Sequence, residues 1–483
     1  MKKLKTIISR SGTTVLFLAF FVGSSFAAIK PASIFTDHMV LQQKADVAIW
    51  GWANAGSGVT LIPSWDKKKY TIKADANGKW KLKIATPKAG GPYEISISDG
   101  IALTLKDILI GEVWFCGGQS NMEMPMKGFK SQPILGSNEA ILKSSNSQIR
   151  LYTVPRSSIT ERQDNSKPSD WKLAGPEAVS NFSATAYYFG KLLSEMLNVP
   201  VGLINDSYGG STIEAWMSPE LLKSFPEVKI PSKGDAIKEV SRTPTTLYNG
   251  MLYPAIGYGI RGAIWYQGES NQTRPDRYGD LFPAMVKEWR NVWGMGEFPF
   301  YYAQIAPFKY VKDPATQMGK EFNSAFIRDV QRKSISKISN SGMAVLMDIG
   351  EERNIHPADK EKGGVRLAYL ALGNTYGVKG FSYASPDYES MTVIDGSAIL
   401  KFQNASNGLT SFGKPLSEFE IAGEDKVFYP AKAVLSGSSV TVSSDAVKAP
   451  VAVRYAFKDF VIGDLYGNEG LPVSSFRTDD WEK

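Results

Sequence analysis

The chain has 483 residues, more than one ordinary domain holds, and its 43% hydrophobic and 21% charged composition excludes a disordered protein. The formal net charge of +7 falls to +3 once residues 1–27, with Lys2, Lys3, Lys5 and Arg10, are set aside, and no Lys/Arg stripe marks a nucleic-acid surface. A single cysteine, Cys116, excludes an intramolecular disulfide and a cysteine-rich structural zinc site.

Residues 1–27 read as a signal peptide. A basic start precedes the apolar run Thr14–Gly23, and small residues before position 28 suit cleavage after Ala27. The apolar run is about half the ~20 residues a membrane span needs, and no later segment is long and apolar enough, so the mature chain is expected to be exported to the periplasm or beyond without a transmembrane span. Residues 28–105 read as a small β domain: Val47–Trp50 and Tyr93–Ile97 alternate, with turn signals at Asn54–Gly58, Asn77-Gly78 and Gly90–Pro92.

Residues 106–384 change pattern. Buried-strand runs at Ile108–Cys116, Val201–Asn205, Ala263–Tyr266, Phe300–Ile305 and Ala344–Asp348 alternate with helical stripes. One stripe, capped by Ser183, carries Tyr187, Tyr188, Leu192, Leu193 and Met196. Another carries Tyr278, Leu281, Phe282, Met285, Val286, Trp289 and Trp293. Such alternation predicts an α/β fold with a doubly wound, mostly parallel sheet. Residues 385–483 return to β alternation at Ala398–Phe402, Ser439–Val442 and Val451–Tyr455, and read as a β-sandwich-like C-terminal domain. Aromatics make up 12% of the chain; most serve a core, though exposed rings can also stack on sugars.

Ligands in open α/β sheets bind beyond the carboxyl ends of the strands. Four loops there carry unusual residues. Gly117–Met122 lets the backbone turn sharply and expose the Ser120 hydroxyl, with following N–H groups available to an oxyanion; a plain Gly-Ser turn is the alternative. Asn205–Ser211 contains Gly209-Gly210, either a tight turn or the source of a free N–H. Gln267–Asn271 clusters polar side chains that could complete an oxyanion hole or orient a base. Asp348–Pro357 contains His356, one of only two histidines. A serine nucleophile needs a base near neutral pH, usually imidazole. His38 lies in the N-terminal β region, where a structural role is expected. Cys116 sits inside an apolar strand, where a thiol is inert.

These motifs carry a resemblance. GGQSNM at 117–122, the Gly-Gly loop leading to Glu214-Ala215-Trp216, WYQGESN at 265–271 and IHP-x-x-K ending at Lys360 resemble the sialate O-acetylesterase family of SGNH-like carbohydrate esterases. The likeness runs from Met39–Gln42 to Leu471-Pro472 and Phe476–Thr478. It implies an SGNH/flavodoxin-like three-layer α/β/α domain flanked by β-sandwich-like regions, with Ser120 as nucleophile and His356 as base. It also implies an oxyanion hole from the N–H groups of Ser120 and Gly210 and a side chain of the 267–269 segment, Gln267 foremost. The family's relatives often place Asp two or three residues before the histidine; here stand Asn354 and Arg353. The third member is left open between Glu269, Asp348, a backbone carbonyl and a dyad.

The resulting expectation is hydrolysis of O-acetyl esters on sugars, without metal or cofactor. The partner would be an acetylated carbohydrate: 9-O-acetylated sialic acid first, acetylxylan or another polysaccharide second. A non-catalytic carbohydrate-binding protein is the reading from another class.

Overall fold

The computed structural model describes residues 29–310 and 323–481. The signal-peptide reading concerns residues outside that range. Among the described residues no helix is long and apolar enough to cross a membrane.

The protein is of mixed α/β type with several sheets. Its centre is a set of parallel strands: β1 (Ala102–Gly118), β2 (Asn146–Thr153), β3 (Val201–Ser207), β4 (Gly262–Tyr266), β5 (Phe300–Ala303) and β6 (Ser341–Ala344). They lie in the spatial order β2-β3-β1-β4-β5-β6, with Lys172–Ala174 antiparallel on the outer side of β2. These strands are near-continuous apolar runs because both of their faces are covered. Side chains alternate accordingly. Trp114, Cys116, Leu203, Ile264 and Tyr301 pack on one face with α1 (Ala184–Leu197) and α4 (Lys360–Leu370). Val113, Phe115, Ile204, Trp265 and Tyr302 pack on the other with α2 (Pro275–Trp293). Against that second face also lies Ile327 of α3 (Ala325–Ser334).

The stripe expected on α2 is buried throughout. On α1, Ser183 caps as expected, its Oγ accepting from the Ala186 N–H at 3.1 Å. Met196, however, is 59% exposed: in the last turn of α1 the core is covered by Leu193 and Leu197 instead. The strand expected over 344–348 ends at Ala344, because its neighbour β5 ends at Ala303 and leaves no ladder beyond. The Met347 carbonyl accepts instead from Gly463 of the C-terminal region at 2.9 Å.

Residue 105 falls inside β1. β1 is one 17-residue strand. Its first part pairs antiparallel with Gly90–Ser98, and its second part enters the parallel sheet. A separate three-stranded sheet joins Lys30–Pro31, Asp46–Trp52 and Lys79–Ala85. After residue 386 the strands are antiparallel. They dock on the centre through buried contacts such as Gln304 Nε2 to Ser474 Oγ at 2.7 Å.

The register positions the site. Gly118 lies opposite Ser207 on one side and Tyr266 on the other. The loops beginning at residues 119, 208 and 267 therefore leave the sheet side by side, at its carboxyl edge.

Candidate active site

Ser120 opens the short helix Ser120–Glu123 directly after β1. The turn requires glycine. Gly118 has φ +145°, and a Cβ there would meet the Tyr266 carbonyl oxygen at 2.2 Å. Gly209, from the loop after β3, comes so close that a Cβ on it would lie 3.5 Å from Ser120 Cβ. Its N–H donates to Glu123 Oε2 at 2.8 Å, and Arg156 pairs with the other oxygen of Glu123. The backbone N–H groups of Ser120 and Gly210 donate to no group among the described residues.

His356 reaches the serine from the loop before α4. Its Nε2 lies 2.7 Å from Ser120 Oγ, across 236 positions of sequence. Its Nδ1 lies 2.6 Å from Gln132 Oε1. An amide oxygen only accepts, so Nδ1 carries the hydrogen and Nε2 is left with its lone pair toward the serine hydroxyl. The Phe129 ring meets the imidazole edge-on, centroids 5.3 Å apart. Burial, and then the Lys360 charge, lower the His356 pKa to about 4. The imidazole is therefore neutral across the physiological range.

The loop holding His356 is fixed by its own polar residues. Asn354 Oδ1 accepts from the His356 N–H at 3.1 Å, and Glu351 Oε1 accepts from the Ala358 N–H at 2.6 Å. Asn354, two residues before the histidine, thus serves the backbone and not the ring.

A buried polar array backs the pair. Asn121 Nδ2 donates to Glu269 Oε1 at 2.6 Å and to the Ile355 carbonyl at 3.1 Å, while Lys360 Nζ donates to Asn121 Oδ1. One side chain thereby ties the Ser120 turn, the 267–271 loop and the residue before His356. Burial lowers the Lys360 pKa to about 7, opposed by Glu269 and Glu351. Burial also raises that of Glu269.

The structure brings Ser120, His356 and the Gly209-Gly210 loop together. Gln267 is fully buried and turned inward. Its Nε2 donates to the Ser211 carbonyl at 3.1 Å and to Asn271 Oδ1 at 2.8 Å, so both amide hydrogens are committed to the scaffold and none remains for an oxyanion. Neither carboxylate expected as a third member bonds the imidazole. Glu269 accepts from Asn121, and Asp348 forms a two-point pair with Arg366 at 2.6 and 2.8 Å. Gln132 was missed because nothing around Phe129–Gln132 marks it. Asn121 and Lys360 stood inside the motifs and could have been flagged as buried polar residues. Cys116 is buried, and burial raises its thiol well above the ordinary range. Beside Gly210 opens a polar cleft of about 380 Å³, lined among others by Thr212, Arg242, Ser270, Arg274 and Arg277. Arg242 Nε donates to the Gly210 carbonyl at 3.4 Å. Among the described residues no cluster of His, Cys, Asp and Glu is arranged to hold a metal ion.

A serine bonded to a neutral histidine, at the carboxyl edge of a parallel sheet beside free backbone N–H groups, is the arrangement of a serine-type hydrolase. Residues 110–360, which hold both side chains, match the family model described as carbohydrate esterase, sialic acid-specific acetylesterase. The chain belongs to this family. It is 30% identical to the human sialate O-acetylesterase over 405 residues, 76% of this chain and 75% of that one. It is 29% identical to the sialate O-acetylesterase of Pongo abelii over 467 residues, 88% of this chain and 87% of that one. A solved carbohydrate acetylesterase from Xanthomonas citri superposes with a TM-score of 0.85 at 35% identity, covering 94% of this chain and all of that one.

Proposed function

We propose that the protein hydrolyses O-acetyl esters on sugars by acyl transfer through Ser120, and that the sugar is a sialic acid. The observation that carries the chemistry is the 2.7 Å contact between Ser120 Oγ and His356 Nε2, with Nδ1 bonded to Gln132. Ser120 Oγ attacks the acetyl carbonyl as its proton passes to Nε2. The oxyanion is held by the N–H groups of Ser120 and Gly210, a contribution of about 10²–10³ in rate per donor. Collapse breaks the ester bond, and Nε2 delivers the proton to the departing sugar oxygen. Water then attacks the acetyl-serine, giving its proton to Nε2; acetate leaves and the proton returns to Oγ. Gln132 fixes the tautomer and orientation of His356 in place of a carboxylate, so the site works as a dyad with an amide support. Gln267, Glu269 and Asp348 act as scaffold.

The names of the relatives support a sialate ester. A second reading, an acetyl ester on a neutral glycan such as acetylxylan, is favoured by the cleft beside Gly210. Its Arg274 and Arg277 are already paired with Glu214 at 3.3 Å and Glu227 at 3.1 Å, leaving less charge for a sialate carboxylate. Acetate release from 9-O-acetylated sialic acid and from acetylxylan, measured side by side, separates the two; release from neither would remove the esterase reading.

The helices on both sheet faces support an SGNH/flavodoxin-like three-layer core, with residues 28–105 and 385–483 as flanking β regions. The basic and apolar pattern of residues 1–27 supports export and cleavage after Ala27, giving a periplasmic or extracellular enzyme.

A further inference from the structure

Away from the Ser120–His356 pair, a groove of about 470 Å³ lies between the N-terminal three-stranded sheet and the 253–256 segment. Strand register builds one wall. Trp50 lies opposite Lys81 and Trp52 opposite Lys79, so two indoles and two ammonium groups share one sheet face. Both indoles are half-buried, as is Tyr253 on the facing wall. The Lys81 ammonium sits 5.2 Å over the Trp50 ring. The rim is charged but balanced: Lys79 and Lys81 against Asp75 and Asp164. Lys79 Nζ bridges to Asp164 Oδ2 at 2.6 Å. Asp75 Oδ2 and Asp164 Oδ1 accept from no group among the described residues, and so are available to hydroxyl donors.

Arg162 covers one face of Tyr253 as Lys81 covers one face of Trp50, so the Trp52 indole and the remaining faces, beside free carboxylate oxygens, suit a ring with apolar C–H faces and equatorial hydroxyls. The charge balance disfavours an anion. Two segments lead from the Ser120 surroundings to this groove. In the 241–256 segment, Ser241 and Arg242 bond the Gly210 carbonyl, and Tyr253 walls the groove. In the 156–164 segment, Arg156 holds Glu123 and Asp164 holds Lys79. Those two anchors are eight positions apart, at most ~29 Å of extended chain. That is within reach of an oligosaccharide of several sugars.

We propose that this groove binds a neutral pyranose oligosaccharide, the unmodified part of the same glycan whose acetyl ester enters at Ser120. The assignment of that glycan as substrate rests on the esterase reading above; binding in the groove does not. The test is isothermal titration of xylohexaose and, separately, lacto-N-tetraose into the full-length Ser120→Ala protein. The two arms distinguish a plant-type from a galactose-containing glycan. Binding of at least one sugar is expected, weakened at least about tenfold by Trp52→Ala or Tyr253→Ala placed in the same background. With Ser120 present, those two variants should hydrolyse p-nitrophenyl acetate normally and lose kcat/KM on an acetylated polymer of the sugar bound. Absence of binding by both sugars, or binding unchanged in the variants, would overturn the proposal. Asp164→Ala, on the exposed rim, gives the same readout should Trp52→Ala fail to fold: unchanged affinity counts against the groove. Failure of the parent protein on p-nitrophenyl acetate would strike the esterase reading alone.

Discussion

The two histidines of this chain lie by different parts of one strand and have opposite surroundings. His38 lies beside Asp107 of β1, its Nδ1 2.7 Å from Asp107 Oδ2, with a side chain 43% exposed. His356 lies beyond the carboxyl end of β1, past Gly118, half-buried against Ser120 and Gln132. Gly118 follows Asp107 by eleven positions along β1, a rise of up to roughly 36 Å. The histidine that has a carboxylate partner has no nucleophile. Asp107 instead serves the buried Arg150, whose Nη1 donates to its Oδ2 at 2.8 Å. The histidine that has a nucleophile is supported by a neutral amide. A carboxylate would favour the imidazolium; the amide fixes the tautomer without that bias. Together with burial and the Lys360 charge, this leaves His356 a weak but ready base well into acid solution.

That contrast can be broken most severely at the nucleophile. Ser120→Ala should lower turnover of p-nitrophenyl acetate by about 10⁴–10⁶, with an unchanged circular dichroism spectrum. Activity within tenfold of the parent would place the chemistry elsewhere. Gln132→Ala should cost about 10–10² in kcat, less than the ~10⁴ seen when an oriented carboxylate is lost from a triad, because no charge is removed. Gln132→Glu sharpens the same point: the added carboxylate should restore turnover near neutral pH and raise the pH at which activity falls off.

Lys360→Met addresses the pH dependence. Only neutral His356 accepts the serine proton, so kcat/KM should fall as pH drops through the His356 pKa, which lies at about 4. Removing the nearby positive charge makes the imidazolium easier to form. The acid limb should therefore move to higher pH, toward the ordinary histidine range. An unmoved limb in a folded variant would mean that Lys360 does not act on the base; Lys360→Gln, which can still donate to Asn121, provides the check on structure. The smallest effects belong to the other histidine. Asp107→Asn should leave kcat unchanged while destabilising the fold by about 1–2 kcal/mol, a modest figure because the carboxylate is partly exposed though Arg150 is not. Arg150, then His38, holds the Asp107 carboxyl below the usual carboxylate range. This contribution should therefore be present above the unfolded carboxylate pKa and fade as acid titrates the folded group.

Much of this was legible in the sequence because both faces of the central strands are buried. Apolar runs such as Ile108–Cys116 and the α2 stripe announce themselves wherever burial is continuous. The Gly-Gly-Gln-Ser turn and His356 could be paired by chemistry alone, since a serine needs a base and only two histidines exist. Gln132 could not be found that way. It lies in an irregular turn, and its role comes from a contact across 224 positions. Gln267 misled for the complementary reason: polar residues after strands face ligand in some folds and scaffold in others, and only its bonds to Ser211 and Asn271 decide which. The ends of β5 and β6 were hidden as well, because the apolar residues beyond them are buried by the C-terminal strands and not by the ladder.

The most direct measurement is mass spectrometry of the intact protein after exposure to a serine-reactive organophosphonate. One adduct per chain is expected, mapped to Ser120, with labelling strongly slowed by His356→Ala and unaffected by His38→Ala. An adduct on another residue, or Ser120 labelling that ignores the loss of His356, would contradict the pairing of these two side chains as nucleophile and base.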